Sequence, residues 1–174
     1  MPKLIIVCGL PGSGKTTFSD ALSKKIKVAC IHKDSVKERL FESLKLSSLE
    51  DSKRIGKPSV DVAMRLTEDQ LKNGIDIILE SPFYFPEDSV IFEAWQERYK
   101  IDLYSVICSI DFTERSRRFR ERERHYAHFD NERSPDHLAE GPDYDYALMP
   151  GKQIRIKTNE PVEILIGKVL KEIN

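Results

Sequence analysis

The sequence predicts an α/β fold, a doubly wound parallel sheet covered by helices on both faces in three layers, and three observations predict it. Five short apolar runs rich in branched side chains alternate with longer segments whose apolar residues recur at helical spacing. The first run leads directly into a glycine-rich loop and then a helical pattern, the order of a strand, a tight turn and a crossover helix. No internal repeat or low-complexity tract breaks the alternation.

The first strand is expected at Leu4 to Cys8, apolar and branched as a buried parallel strand should be. Gly9-Leu10-Pro11-Gly12-Ser13-Gly14-Lys15-Thr16 follows and fits G-x-x-x-x-G-K-[ST], the phosphate-binding loop. Phe18, Ala21, Leu22 and Ile26 then recur at helical spacing, so the loop sits between strand and helix as its chemistry requires. A triphosphate concentrates negative charge, and successive backbone N–H groups at the positive end of a helix dipole answer it. Gly12 and Gly14 allow the backbone to come close, while Pro11 stiffens the turn and donates nothing. Lys15 is placed to reach the β and γ phosphates, the Thr16 hydroxyl is the expected Mg²⁺ ligand, and Thr17 supports the α phosphate. A glycine-rich turn with a fortuitous lysine is the bland alternative, against which the register of strand, loop and helix argues.

The second strand is expected at Val28 to His32, which puts Asp34 at a strand's carboxyl end, where open α/β sheets gather ligands. Asp34 also fits the N-cap of a helix starting at Ser35, and the two roles are compatible. Residues 43–59 are polar, with Gly56 and Pro58 as breakers, and suggest an exposed connection or small helical flap. A helix from about Ser59 to Asn73 presents Val60, Ala63, Met64 and Leu71, and Asn73-Gly74 should end it in a left-handed cap. The third strand, Ile75 to Leu79, delivers Glu80 to the position of an acid that holds a metal-bound water. Phe83, Tyr84 and Phe85 follow between prolines, to line a substrate cleft or to plug the sheet edge. The next helix, Glu87 to about Tyr99, should turn Val90, Ile91, Ala94 and Trp95 inward, with Trp95 in the core.

Leu103 to Ile110 is the fourth strand, closed by Asp111. Thr113 to His128 then carries Arg115, Arg117, Arg118, Arg120, Arg122 and Arg124, six arginines in ten residues. As a helix it has only Phe119 for an apolar face, so packing does not hold it and it should move. Three glutamates, Glu114, Glu121 and Glu123, leave arginines over, which favours an arginine-bearing lid at about 113–130 above a solvated, ion-paired face. His125 and His128 lack the partners of a metal site. Residues 130–150 are loop-like, with Tyr144 and Tyr146 available for contacts. A fifth strand, Gln153 to Lys157, ends at Thr158-Asn159, and an amphipathic helix through Val162, Leu165, Ile166, Val169, Leu170 and Ile173 closes the chain.

The 174 residues suit one domain, 1–174, with a substantial core, and a net charge of −1 provides no global attraction to nucleic acid or anionic lipid. No apolar run reaches the roughly 20 residues of a membrane span, and no leader is expected before the first strand. Cys8, Cys30 and Cys108, widely spaced in apolar segments, indicate buried thiols in a reducing cytoplasm.

With these residues in view, the chain resembles the P-loop kinases, in particular the group of the 5′-hydroxyl polynucleotide kinase domain, chloramphenicol phosphotransferase and zeta-toxin-like kinases, an AAA-type class. The resemblance runs through Gly9 to Thr17, Lys33-Asp34 with Lys37 and Arg39, Gly74 to Glu80, Asp111 to Arg124, and Thr158. It implies a P-loop NTPase fold with strand order 2-3-1-4-5, ATP and Mg²⁺ as cofactors, and a kinase acting on a small-molecule hydroxyl acceptor. It further implies Asp34 as general base, Lys37 or Arg39 as holders of the acceptor, Arg118, Arg122 and Arg124 as lid residues on the transferring group, and Thr158-Asn159 as a wall of the adenine pocket. Arg124-His125 to His128 is similar to an R-H-x-x-H pattern of related predicted kinases. Two departures stand out: no phosphatase domain accompanies the chain, which weighs against nucleic-acid end healing, and Glu80-Ser81 replaces a fuller Walker B run. The rivals are a polynucleotide 5′-hydroxyl kinase, suggested by the arginines, and an ATP-binding switch or scaffold with negligible turnover. A GTPase is disfavoured, since neither N-K-x-D nor a D-x-x-G after the third strand is present.

Overall fold

β1 (Lys3–Cys8) is the centre of the molecule because its residues alternate between two apolar layers. Leu4, Ile6 and Cys8 face one layer and Ile5 and Val7 the other, and none of the five is more than 2% exposed. The computed structural model describes residues 1–83, 85–132 and 146–173. β1 pairs in parallel with β3 (Ile77–Glu80) and β4 (Asp102–Ser109); β2 (Cys30–His32) adds outside β3 and β5 (Lys152–Lys157) outside β4, giving the order β2-β3-β1-β4-β5. That is the expected 2-3-1-4-5 sheet of a P-loop NTPase fold, with helices on both faces.

Parallel strands joined by right-handed crossovers must place helices over both faces. α1 (Lys15–Ile26) covers one face with Phe18 and Leu22, beside the closing helix α7 (Val162–Ile173) with Leu165, Ile166, Val169 and Ile173. The opposite face is covered by α4 (Gly56–Lys72) with Ala63, Met64 and Leu71, and by α5 (Pro86–Tyr99) with Phe92 and Trp95. α2 (Lys33–Ser43) and α3 (Leu49–Arg54) lie between β2 and α4, around a smaller cluster of Phe41, Ile55 and Ala127. α6 (Phe112–Glu121) follows β4, and 3-10 turns stand at Tyr126–His128, Asp130–Glu132 and Tyr146–Leu148.

Several boundaries differ from the sequence expectation for local reasons. α2 begins at Lys33 directly from β2, with His32 as its N-cap, so Asp34 sits in the first turn and its side chain is free for other partners. Gly56 and Pro58 do not break the chain there: both fall in the first turn of α4, where a missing N–H costs nothing. Gly74 does end that helix, at φ +72°. α5 buries Asp88, Ser89, Phe92 and Trp95, whereas Val90, Ile91 and Ala94 lie on its exposed side. Trp95 is core, as expected, edge-on to Phe92 at 5.6 Å. The arginine helix is shorter than expected, because Arg122 is already extended. Tyr144 and the Tyr84 substrate assignment fall outside the described residues. Tyr146 is buried and donates from its hydroxyl to the Pro82 carbonyl at 2.8 Å.

Phe92 touches both Phe83 and Trp95 and has no exposed surface, so Phe92→Ala should cost about 3–5 kcal/mol of unfolding free energy, while Val90→Ser should stay within about 0.5 kcal/mol, both read from urea denaturation. The reverse ranking would mean that the helix turns its other face to the sheet.

Candidate active site

All five strands run the same way, so their carboxyl ends line one edge of the sheet, and each delivers a polar residue to it. After β1 comes the loop Gly9 to Gly14. Gly9 passes so close to β4 that a Cβ there would stand 2.4 Å from the Cys108 carbonyl oxygen, and at Gly12, φ +82°, it would stand 2.7 Å from that of Arg115. No larger residue fits either place. The Ser13 N–H closes the turn on the Leu10 carbonyl at 3.0 Å. The first turn of α1 contains neither an acid nor a side-chain cap, so its unpaired N–H groups and positive dipole end are left for an anion.

Glu80, in register with His32 of β2 and Val7 of β1, is the hub of the next group. Its Oε1 lies 3.8 Å from Lys15 Nζ, and its Oε2 accepts from Thr16 Oγ1 at 3.4 Å and lies 2.9 Å from His32 Nδ1. The other His32 nitrogen lies 2.9 Å from Asp20 Oδ1. With a carboxylate at each ring nitrogen, both nitrogens must carry protons. Cys30 Sγ, 4.0 Å away, and Glu80 favour this imidazolium and push His32 up to about 11. Lys15 and Glu80 are themselves buried, 7% and 3% exposed, so the pair is shielded from bulk water.

Asp34 stands in the first turn of α2, bonded to Lys33 Nζ at 3.2 Å and ion-paired with Arg124 Nη2. Burial pushes its carboxyl up, but Lys33 and Arg124, with His128 and Lys15 behind them, more than offset this and hold it well below the usual carboxylate range. Arg124 also reaches both oxygens of Asp130 at 3.1 Å. Arg122 approaches Asp130 at 3.5 Å and lies over the Phe119 ring at 4.4 Å. Burial and the neighbouring Arg124 charge lower its pKa, opposed by Asp130. Two half-buried guanidiniums side by side are a place for a further anion.

The arginines therefore divide. Arg118 goes to the opposite wall, donating to Thr158 Oγ1 at 3.2 Å and to its carbonyl oxygen at 3.0 Å, while Thr158 Oγ1 donates to the Ser13 carbonyl at 2.7 Å. Arg117 pairs with Glu114 and Glu121 on its own helix. Asp111 caps that helix, accepting from the Glu114 N–H at 3.0 Å. Three of the arginines thus find partners beyond the local glutamates: Arg118 in Thr158, Arg122 in Asp130, and Arg124 in Asp34 and Asp130. Ser13 Oγ and Arg122 Nε are buried with no hydrogen-bond partner among the described residues, as polar atoms beside a ligand site often are.

Gly12, Gly14, Lys15, Thr16, Thr17, Asp34, Glu80, Arg118, Arg122, Arg124 and Thr158 come together around one cleft of about 670 Å³, within the range of small-molecule sites. Three expected substrate contacts are not brought there. Phe83 is 3% exposed and packs edge-on to Phe92 at 5.1 Å, in the core. Lys37 is buried and is not among the residues that line the cleft. Arg39 is exposed and pairs with Glu42 at 3.1 Å, since five residues beyond Asp34 the helix has turned it away from the cleft. Sequence reasoning missed His32, Asp20, Glu38 and Asp130. Only His32 left a trace, as the residue ending the strand beside Glu80. Cys8 and Cys108 are free thiols of the core, and burial pushes Cys8 up to about 12, which removes both as nucleophiles.

The family described as AAA domain matches residues 4–138. No curated protein matches the chain. Among solved structures, a candidate kinase from Chloroflexus aurantiacus is similar at TM-score 0.84 and 23% identity, covering 98% of this chain and 97% of that one. The APS kinase of Mycobacterium tuberculosis, in complex with AMPPNP and APS, is similar at 0.61 and 15%, covering 98% and 96%. A shikimate kinase from Bacteroides thetaiotaomicron is similar at 0.63 and 16%, covering 98% of both chains. At these identities the likeness is one of fold. Among the described residues no helix is long and apolar enough to cross a membrane.

Arg124 is one of the charges that hold Asp34 ionised, so Arg124→Ala should move the apparent pKa of the Asp34 carboxyl up towards the ordinary value of about 3.9, followed by carboxyl-carbon NMR titration. An unmoved titration would place the controlling charge elsewhere.

Proposed function

The chain belongs to the AAA domain family, and on that premise we propose that it is an ATP-dependent kinase that transfers the γ phosphate to a hydroxyl group of a small molecule. It acts as a single domain over residues 1–174, with about 113–130 as its lid, in a reducing cytoplasm where three free thiols persist. One observation carries this reading: a phosphate-binding loop and a carboxylate held anionic by Lys33 and Arg124 line the same cleft.

The loop N–H groups and Lys15 hold the phosphate chain, and Thr158 with Arg118 forms the wall on the base side. Thr16 and Glu80 present hard oxygen donors 3.4 Å apart, which suits Mg²⁺, an ion that takes few protein ligands; bound there it would neutralise the phosphoryl oxygens. His32 orients Glu80 from behind. Asp34 accepts the proton of the acceptor hydroxyl as its oxygen bonds to the γ phosphorus and the bond to the bridging oxygen of ADP breaks. A carboxylate this acidic is a weak base, but in a loose transition state the proton leaves late, so orienting the hydroxyl is its larger task. Arg122 and Arg124 stabilise charge on the transferring group, which requires Arg124 to give Asp34 up to the acceptor. The polynucleotide kinase alternative has less support, because four of the six arginines that suggested it, Arg117, Arg118, Arg122 and Arg124, are engaged with acids and with Thr158.

Screening hydroxyl-bearing metabolites, nucleosides, antibiotics and oligonucleotides for ATP-dependent phosphorylation tests the proposal. In the active pairing, Lys15→Ala should lower turnover about 10²- to 10³-fold with little change in melting temperature, and full activity in that variant would refute the assignment. Asp34→Asn should keep ATP affinity and lose about 10²- to 10⁴-fold in transfer; unchanged ATP consumption would point to a switch or a water-directed reaction. Turnover should vary little between low and moderate salt, whereas a steep fall would indicate a nucleic-acid acceptor.

A further inference from the structure

Asp34, Glu38 and Glu42 are spaced four residues apart on α2 and form an acidic stripe along one side of it. The segment after α6 answers all three. Arg124 takes Asp34, His128 Nε2 lies 2.8 Å from Glu38 Oε1, and His125 Nε2 lies 3.1 Å from Glu42 Oε1. His125 Nδ1 accepts the Ala127 N–H at 3.1 Å, so its proton sits on Nε2 and is donated to Glu42. Burial lowers the pKa of His128, opposed by the Asp34 charge and by the hydrogen bond to Glu38.

Under these polar contacts the segment is packed. Phe41 of α2 meets Tyr126 edge-on at 5.6 Å and Phe129 at 5.8 Å, Ala127 is fully buried, and Ser52 Oγ donates to the Ala127 carbonyl at 2.6 Å. α6, by contrast, is tied to the opposite wall through Arg118 and Thr158. The chain between residues 118 and 124 spans the cleft, and its far end is attached to the helix that carries Asp34.

We propose that His125 and His128 are positioning residues, which clasp the segment to α2 so that the backbone bearing Arg124 stays beside Asp34. This gives the R-H-x-x-H pattern a purpose: its arginine reaches the cleft, and its two histidines hold the backbone on α2 without touching substrate. The kinetic consequence rests on the kinase reading above; the clasp itself does not.

Four full-length proteins test it: the parent, His125→Ala/His128→Ala, Arg124→Ala, and the triple variant. Amide hydrogen exchange at residues 127–129 should be about 10- to 100-fold faster in the double variant, which loses both hydrogen bonds to α2 and the acceptor of the Ala127 N–H, with AMPPNP affinity within about twofold of the parent. On the acceptor identified by the screen, kcat should fall about tenfold with KM for ATP unchanged, and the triple variant should be no slower than Arg124→Ala, because the histidines act through that arginine. His125→Gln/His128→Gln, which keeps an N–H donor at each position, should recover part of both the protection and the rate, and separates loss of the clasp from misfolding. Unchanged exchange at 127–129, or rate losses that multiply in the triple variant, would overturn the proposal. If no acceptor is phosphorylated by the parent the kinase reading fails, and the exchange measurement still decides the clasp.

Discussion

The constraint on which the structure depends is the burial of β1 on both faces. A parallel strand with helices above and below has no free surface except its end, so chemistry on this scaffold is confined to the carboxyl edge of the sheet. Gly9 is held against the Cys108 carbonyl because β1 and β4 are in register up to the residue before the loop. His32 and Glu80 meet because β2 and β3 are in register at that pair. The cleft is therefore assembled from strand ends whose relative heights the hydrogen-bonded ladder sets.

Charge organises what the strands deliver. Lys15, the His32 imidazolium and the Glu80 carboxylate form a buried alternation, and Lys33, Asp34, Arg124 and Asp130 form a second, more open one. A buried charge left alone would be neutralised by a shift of its pKa, and neighbours of opposite sign hold the His32 imidazolium and the Asp34 carboxylate in their ionised forms. The same pairing creates a tension at Asp34. The cations that keep it a carboxylate also make it a weaker base, and one of them occupies one of its oxygens.

The arginine segment shows how a stretch with almost no apolar residues of its own can still be located. α6 relies on its Asp111 cap, on Glu114 and on the Thr158 loop, and the residues beyond it rely on the acids of α2 and on Phe41, against which Tyr126 and Phe129 pack. Its two ends are attached to opposite walls of the cleft, which ties any closure of the walls to the placement of Arg122 and Arg124.

The phosphate loop was legible in the sequence because its conformation is set by neighbours within eight residues: glycines where side chains have no room, and a lysine and threonine that open the helix. The five strands and the parallel class were legible for the same local reason, as runs of apolar, branched residues. The partners of Asp34 were not, since Arg124 lies ninety positions away and only folding brings them together. Nor was the burial of Phe83, or the outward turn of Arg39, because an aromatic near a cleft and a cation on a helix look alike in sequence whichever way they face. Local sterics and periodicity are written in adjacent residues, so the sequence by itself determined the loop and the sheet; the pairing of charges depends on distances across the fold, so only the tertiary structure decided which arginine serves which acid.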